Sequence, residues 1–145
     1  MFSDMASLAE LIRANLISVT AGPPTDQQVM MMLAAANWIG VPEANNPGRL
    51  IGSGIAPNCG PGSVSVEGSP YDNLAHQPSC ITQYKSVAVG AKAMVEVWGS
   101  DPEFRTALQD LDVGLMCDRL LSARAGDPLI ERNAANWNKL VSQFL

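Results

Sequence analysis

The chain has 145 residues, of which 47% are hydrophobic and 16% charged, a composition typical of one globular domain large enough to bury a core. Its net charge of −5 and its scattered basic residues argue against nucleic-acid binding, because neutralising phosphates requires clustered Lys and Arg. No apolar run approaches the roughly 18 residues of a membrane span, and the N-terminus lacks the basic region and cleavage site of a signal peptide. We therefore expect no membrane insertion, and release from a cell would require lysis or packaging in a virus particle.

Two helices are predicted in the first 40 residues. Apolar side chains recur at helical spacing over residues 4–17, which predicts an amphipathic helix. Thr25 and Gln28 then form a capping-box pattern that begins a second helix. Residues 29–39 of this helix are apolar on all sides and Gly40 ends it, so we expect it at the buried centre of the domain.

A long Gly/Pro-rich loop is predicted over residues 42–82. The alternation of small polar residues and valine over residues 63–67 is typical of one short strand, half of a small hairpin. Loops of this length inside a compact domain are usually functional or disordered. The apolar residues Ile51 and Ile55, and the absence of charge runs, favour an ordered loop.

Helical patterns return after the loop. Residues 84–98 predict a third helix, and Ser100 with Glu103 forms a capping-box pattern that begins a short one. Two more helices are predicted at residues 112–124 and 128–144. Together these patterns predict a mainly α fold, with five to six helices around one core in a single domain that spans the whole chain.

Three cysteines are too few for a disulfide scaffold, and their spacing is not that of a zinc site. Cys59 and Cys80 both lie in the long loop and could join it by a disulfide. The alternative of two free thiols stays open, because disulfides need an oxidising compartment. Cys117 falls in a helical pattern and is interpreted as a small buried apolar residue.

Glu43 is the strongest candidate for chemistry. It follows the buried helix and lies between Pro42 and a polar turn at residues 44–47. A glutamate beside apolar walls has its pKa raised by desolvation, which suits a general acid for glycosidic cleavage. A solvated loop glutamate is the alternative. Glycoside hydrolysis usually needs a second carboxylate, for which Asp72 is a weak candidate and Glu67 another.

Aromatic residues near both ends of the loop suit saccharide binding. Tyr71, Tyr84 and Trp38 could stack on sugar rings, although Trp38 suits the core equally well. The sequence contains no phosphate-binding loop, dinucleotide fingerprint or His-Glu-x-x-His motif, so we predict no cofactor. The lone His76 has no cluster of metal ligands around it in the sequence, and we predict no metal site.

Short motifs stand in one order along most of the chain: Trp38, Glu43, Asn46-Pro47, Tyr71-Asp72-Asn73 and Gln83-Tyr84. This order resembles that of lysozyme-like domains from phages and their actinobacterial hosts, which are muramidase- or transglycosylase-like. The resemblance implies a lysozyme-like helical bundle with a saccharide cleft. The chain departs from the family where Glu-Gly-Gly is replaced by Glu-Ala-Asn, which puts hydrolysis in doubt. The resemblance also implies substrate contacts for six residues: Trp38, Asn46, Tyr71, Asn73, Gln83 and Tyr84.

The function expected from the resemblance is that of a phage-associated domain that binds peptidoglycan glycan. Glu43 would be its general acid if catalysis is retained, and the altered motif favours a domain that has lost it. The alternative is a non-catalytic virion structural protein, a head-decoration or tail component that packs against other virion proteins or its own copies. In either case we expect the protein in the virion or in the infected host cell.

Overall fold

A computed structural model of the protein describes residues 2–66, 78–116 and 119, and of Trp38 the backbone only. Helices form both ends of this described part, and short strands occupy the region between them. None of the described helices has both the length and the apolar character needed to cross a membrane. In chain order the elements are α1 (Met5–Leu16), α2 (Asp26–Ile39), a 3-10 helix (Pro42–Ala44), β1 (Gly54–Ile55), β2 (Asn58–Cys59), β3 (Ser63–Val66), β4 (Ser79–Thr82), α3 (Val87–Gly99) and α4 (Pro102–Gln109).

The helices begin where side chains can accept hydrogen bonds from free backbone N–H groups. The predicted capping box of α2 is confirmed: Thr25 accepts from Gln28 N, and the Gln28 side chain accepts from Thr25 N. The prediction that Ser100 caps α4 is wrong, since Asp101 fills that position and accepts from Glu103 N at 3.0 Å. A hydrogen bond from the Arg119 guanidinium to Asp101 holds the pKa of this carboxyl below its usual range.

The main core lies between α1, α2, α3 and α4. The middle of α2 is buried, with residues 31–36 all enclosed, which confirms its predicted position at the centre. Its neighbour α1 buries one stripe, Leu8, Ile12 and Leu16, as expected for an amphipathic helix. The largest buried side chain, Trp98, meets Phe104 edge to face with ring centroids 5.9 Å apart.

The predicted mainly α, lysozyme-like bundle of five to six helices is wrong. The described helices are joined by two small antiparallel sheets, so the chain has mixed α and β content. Strands β1 and β2 form one hairpin, and β3 pairs with β4 from Ser63↔Thr82 to Val66↔Ser79. Helical backbone continues at residues 113–116 and 119, while the predicted helix at 128–144 lies outside the described residues.

Of the described strands, only one is predicted from the sequence, because the strands are just two to four residues long. The alternation at residues 63–66 correctly predicts β3. Its partner β4 buries two consecutive residues, Cys80 and Ile81, and so lacks the alternation that marks a half-buried strand. Its strand character therefore depends on tertiary contacts.

The sheets are attached to each other and to the helical part by several links. A disulfide joins Cys59 in β2 to Cys80 in β4, with the two Cα atoms 5.6 Å apart. An isolated bridge joins Ile51 to Ile81. Beneath them, Val41, Ala44 and Ile81 form a second small core, so this region is ordered by its own packing as well as by the disulfide.

Helix α3 approaches the turn after α2 through a glycine. A Cβ atom added at Gly90 would collide with the Asn45 carbonyl oxygen and would lie 3.0 Å from Pro47 Cδ. The first obstacle is backbone, which cannot rotate away as a side chain can. Close contact between α3 and this turn therefore requires glycine at position 90.

Replacing Gly90 by Ala is expected to lower the free energy of unfolding by about 3 kcal/mol, because overpacking outweighs the higher helix propensity of alanine. Denaturant titration followed by circular dichroism measures the change. Gly114→Ala is the matched control, since its new Cβ would meet only Asp112 Oδ1 at 3.6 Å. Equal stability of the two variants would show that α3 does not need this close approach.

Candidate functional site

The candidate site begins at a tight loop after α2. Gly40 leaves the helix in an extended conformation, and Pro42 then starts the 3-10 helix. Asn45 turns the chain back with a positive φ of 52°, a conformation that asparagine tolerates better than most residues. The loop is closed by two backbone hydrogen bonds between Val41 and Asn46, at 2.8 and 3.1 Å. Glu43 consequently lies at the tip of this loop.

Glu43 is exposed to solvent. The general-acid hypothesis required a carboxyl group enclosed by apolar side chains, and the described residues do not provide that enclosure. Its catalytic role thus stays a prediction from the sequence. An exposed carboxylate is an acceptor of hydrogen bonds, including those from sugar hydroxyl groups.

Asn46 occupies the opposite environment, with 0% of its surface exposed. Its side-chain Nδ2 donates to the carbonyl oxygens of Leu50 and Thr82, each at 2.9 Å. Its Oδ1 accepts from Leu50 N at 2.9 Å. The amide therefore joins the loop after α2 to the end of β4, and in this structure it has no surface with which to contact a saccharide.

The chain before α3 runs alongside the 3-10 helix. Tyr84 N donates to the Ala44 carbonyl oxygen at 2.9 Å, and Asn45 Nδ2 donates to the Tyr84 carbonyl oxygen at 3.0 Å. Tyr84 is half-buried against the main core, whereas Gln83 is exposed. We call the surface formed by Glu43, Asn45, Gln83 and Tyr84 the Glu43 edge. It brings together three of the residues predicted from the sequence.

The remaining predicted site residues cannot be placed beside this edge. Tyr71, Asp72 and Asn73 lie outside the described residues, as does Glu67. For Trp38 the structure describes only the backbone, at the end of α2. The second carboxylate of a glycosidase therefore stays a prediction.

Two residues of this region were not predicted. Asn45 supplies both the left-handed turn and a side-chain hydrogen bond, and its residue type was the only signal in the sequence. Arg49 is 3% exposed, and its Nη1 donates to the Ile39 carbonyl oxygen at 3.4 Å, near the carboxyl end of α2. Cations are favourable there because helix C-termini carry partial negative charge. A buried arginine is rare enough that composition gives no hint of it.

Among the residues that the structure describes, no group of three or more His, Cys, Asp or Glu side chains could hold a metal ion. The side chains of the Glu43 edge offer hydrogen bonding and contact with an aromatic ring. No protein-family model, curated protein or solved structure matches this chain.

Proposed function

We propose that this protein is a phage-associated domain that binds the glycan strands of peptidoglycan at the Glu43 edge without cleaving them. The observation that carries the proposal is the hydrogen bond from Tyr84 N to the Ala44 carbonyl oxygen. It places the backbone of Tyr84 beside the turn that carries Glu43, and both Glu43 and Gln83 are exposed there. Carboxylate, amide and aromatic side chains are the groups with which proteins hold sugar hydroxyls and ring faces. The order of motifs along the chain supports the phage association.

The exposure of Glu43 favours binding over hydrolysis. A general acid for glycosidic cleavage works in a site from which water is largely excluded. Glu43 instead lies at the tip of a loop in solvent, where its carboxylate can accept hydrogen bonds but is not enclosed. The edge is open, and none of its four residues carries a positive charge. We therefore expect weak binding, with a dissociation constant of about micromolar to millimolar per site.

Sedimentation with purified cell-wall sacculi tests this function. The wild type is expected to sediment with the sacculi and to leave their turbidity unchanged. Glu43→Ala should weaken binding about tenfold, because it removes hydrogen bonds to a charged acceptor. Glu43→Gln should retain most of the binding, since glutamine still accepts through its carbonyl oxygen. Glu96→Gln, an exposed glutamate on α3, is the matched control and should bind like the wild type.

Two outcomes of this experiment would contradict the proposal. A fall in turbidity with the wild type that disappears in Glu43→Gln would establish a hydrolase with Glu43 as its acid. Failure of the folded wild type to sediment would exclude glycan binding. Self-association in analytical ultracentrifugation would then favour the second candidate function.

That second candidate is a virion structural protein. It is favoured by Ile55, which is 84% exposed on the β1–β2 hairpin, and by Ile51, which is 42% exposed nearby in the chain. The disulfide at Cys59 holds this hairpin against β4, so the apolar side chains project from an anchored support. Exposed apolar groups on an anchored projection suit packing against another subunit.

A further inference from the structure

A cavity of about 330 Å³ lies away from the Glu43 edge, between the α1–α2 connection and α4. Its volume falls within the range of small-molecule sites. Among the described residues, Val19, Thr20, Ala21, Pro23 and Thr25 line one wall, and α4 contributes Arg105, Leu108 and Gln109 to the other.

Arg105 gives this cavity a positive charge, and no carboxylate is among the described residues that line it. The guanidinium is anchored, since its Nη1 donates to the Gly99 carbonyl oxygen at 2.6 Å. A guanidinium carries five N–H donors in a planar fork, so donors remain for a ligand. Arg105 is the one charged residue among the described lining residues, so the cavity favours an anionic ligand over a neutral or cationic one.

The polar side chains beside Arg105 also favour a ligand that accepts hydrogen bonds. The Thr25 hydroxyl accepts from Gln28 N at 3.2 Å and keeps its own O–H group as a donor. The Gln28 amide is already engaged, because its Oε1 accepts from Thr25 N and its Nε2 donates to the Leu108 carbonyl oxygen. The Thr25 hydroxyl therefore adds a donor to those of Arg105, while the amide of Gln109, also in the lining, can donate or accept.

The rest of the lining is apolar. Leu108 is buried beneath the cavity, and Val19, Ala21 and Pro23 form the side that belongs to the α1–α2 connection. These side chains offer a place for a few carbon atoms but no hydrogen bonds. A ligand that satisfies both parts of the cavity has one anionic head and a short apolar body.

We propose that this cavity binds a small carboxylate with a short apolar body, with Arg105 as the residue that pairs with the carboxylate. Arg105 is exposed, so solvent and salt screen the pair, and the dissociation constant falls in the millimolar range. The site is independent of the Glu43 edge and holds whether or not the protein binds peptidoglycan.

The probe is isovalerate. It is titrated into the 145-residue protein, and the backbone amide chemical shifts are recorded at each addition. Shifts are expected to concentrate at the amides of Thr25, Leu108 and their neighbours. The neutral analogue isovaleramide should bind about tenfold more weakly, because it loses the charge-assisted hydrogen bonds. Acetate should bind about fiftyfold more weakly, because it buries three fewer carbons.

Arg105→Gln should weaken isovalerate binding about tenfold or more, since a neutral amide replaces the guanidinium. Lys92→Gln removes the same charge from an exposed position on α3 and should leave the dissociation constant unchanged. Equal binding of isovalerate and isovaleramide by the wild type would overturn the proposal, and this comparison does not depend on any variant folding. Shifts confined to other parts of the protein, or no binding of isovalerate at millimolar concentrations, would overturn it too.

Discussion

Replacing Asn46 by Ala is expected to lower the free energy of unfolding by about 4 kcal/mol. The substitution leaves the Leu50 N–H and the Thr82 carbonyl oxygen without their side-chain partner, while the Leu50 carbonyl oxygen keeps its hydrogen bond from Thr82 N at 3.0 Å. Each such buried group costs about 1–3 kcal/mol when it is neither bonded nor hydrated. Denaturant titration measures the loss, and Asn58→Ala, at an exposed position in β2, should change stability by only about 0.5 kcal/mol.

The Asn46→Asp variant tests whether the loss of stability comes from lost hydrogen bonds or from a smaller side chain. Aspartate has nearly the same shape, but an ionised carboxylate cannot donate to the carbonyl oxygens of Leu50 and Thr82 and would repel them. We expect Asn46→Asp to be destabilised as well, in spite of its conserved volume. If instead either variant kept the stability of the wild type and lost only binding to sacculi, Asn46 would be a ligand contact, as the family resemblance implies.

Removing the disulfide is expected to cause the second large loss of stability. Replacing Cys59 and Cys80 together by Ser is expected to cost about 3 kcal/mol, because the bridge spans 21 residues and limits the unfolded chain. Thermal unfolding with and without a reductant checks this: reductant should lower the melting temperature of the wild type and leave the double variant unchanged. A wild type that is insensitive to reductant would contradict the structural role of the bridge.

A thiol count provides an independent check of the disulfide. The chain has three cysteines and the bridge uses two, so the unreduced protein should show one free thiol after unfolding in denaturant. Reaction with a chromogenic disulfide reagent gives this number directly. Three free thiols in protein purified from an oxidising compartment would show that Cys59 and Cys80 do not pair.

The helical part of the fold could be predicted because its signals are local. Helix α1 and helix α2 match the periodic patterns that began near residue 4 and at Thr25, and the apolar run of α2 is buried as expected. Capping depends on side chains within three residues of each other, which a sequence shows directly. The predicted cap of α4 is off by one residue: Asp101 accepts from Glu103 N, whereas the Ser100 hydroxyl donates to the Val97 carbonyl oxygen.

The β3–β4 sheet and the candidate site are governed by contacts between distant segments, whereas β1 and β2 pair across a two-residue turn. The residues that pair β3 with β4 are separated by the whole of residues 67–78, and no local pattern specifies that register. The turn after α2 shows the same dependence. Glu43 and Asn46 are both polar residues between prolines, yet one is exposed and the other has no exposed surface.

The sequence by itself determined the amphipathic helices, the buried centre at α2 and the set of polar residues near the end of that helix. Only the tertiary structure decided which of those residues faces solvent. The left-handed turn at Asn45 and the Val41–Asn46 bridge direct Asn46 inward to Leu50 and Thr82, and leave Glu43 in water. The physical reason is that a short loop has no periodicity of its own. Its side chains take the directions in which the buried backbone groups of its neighbours find hydrogen-bond partners.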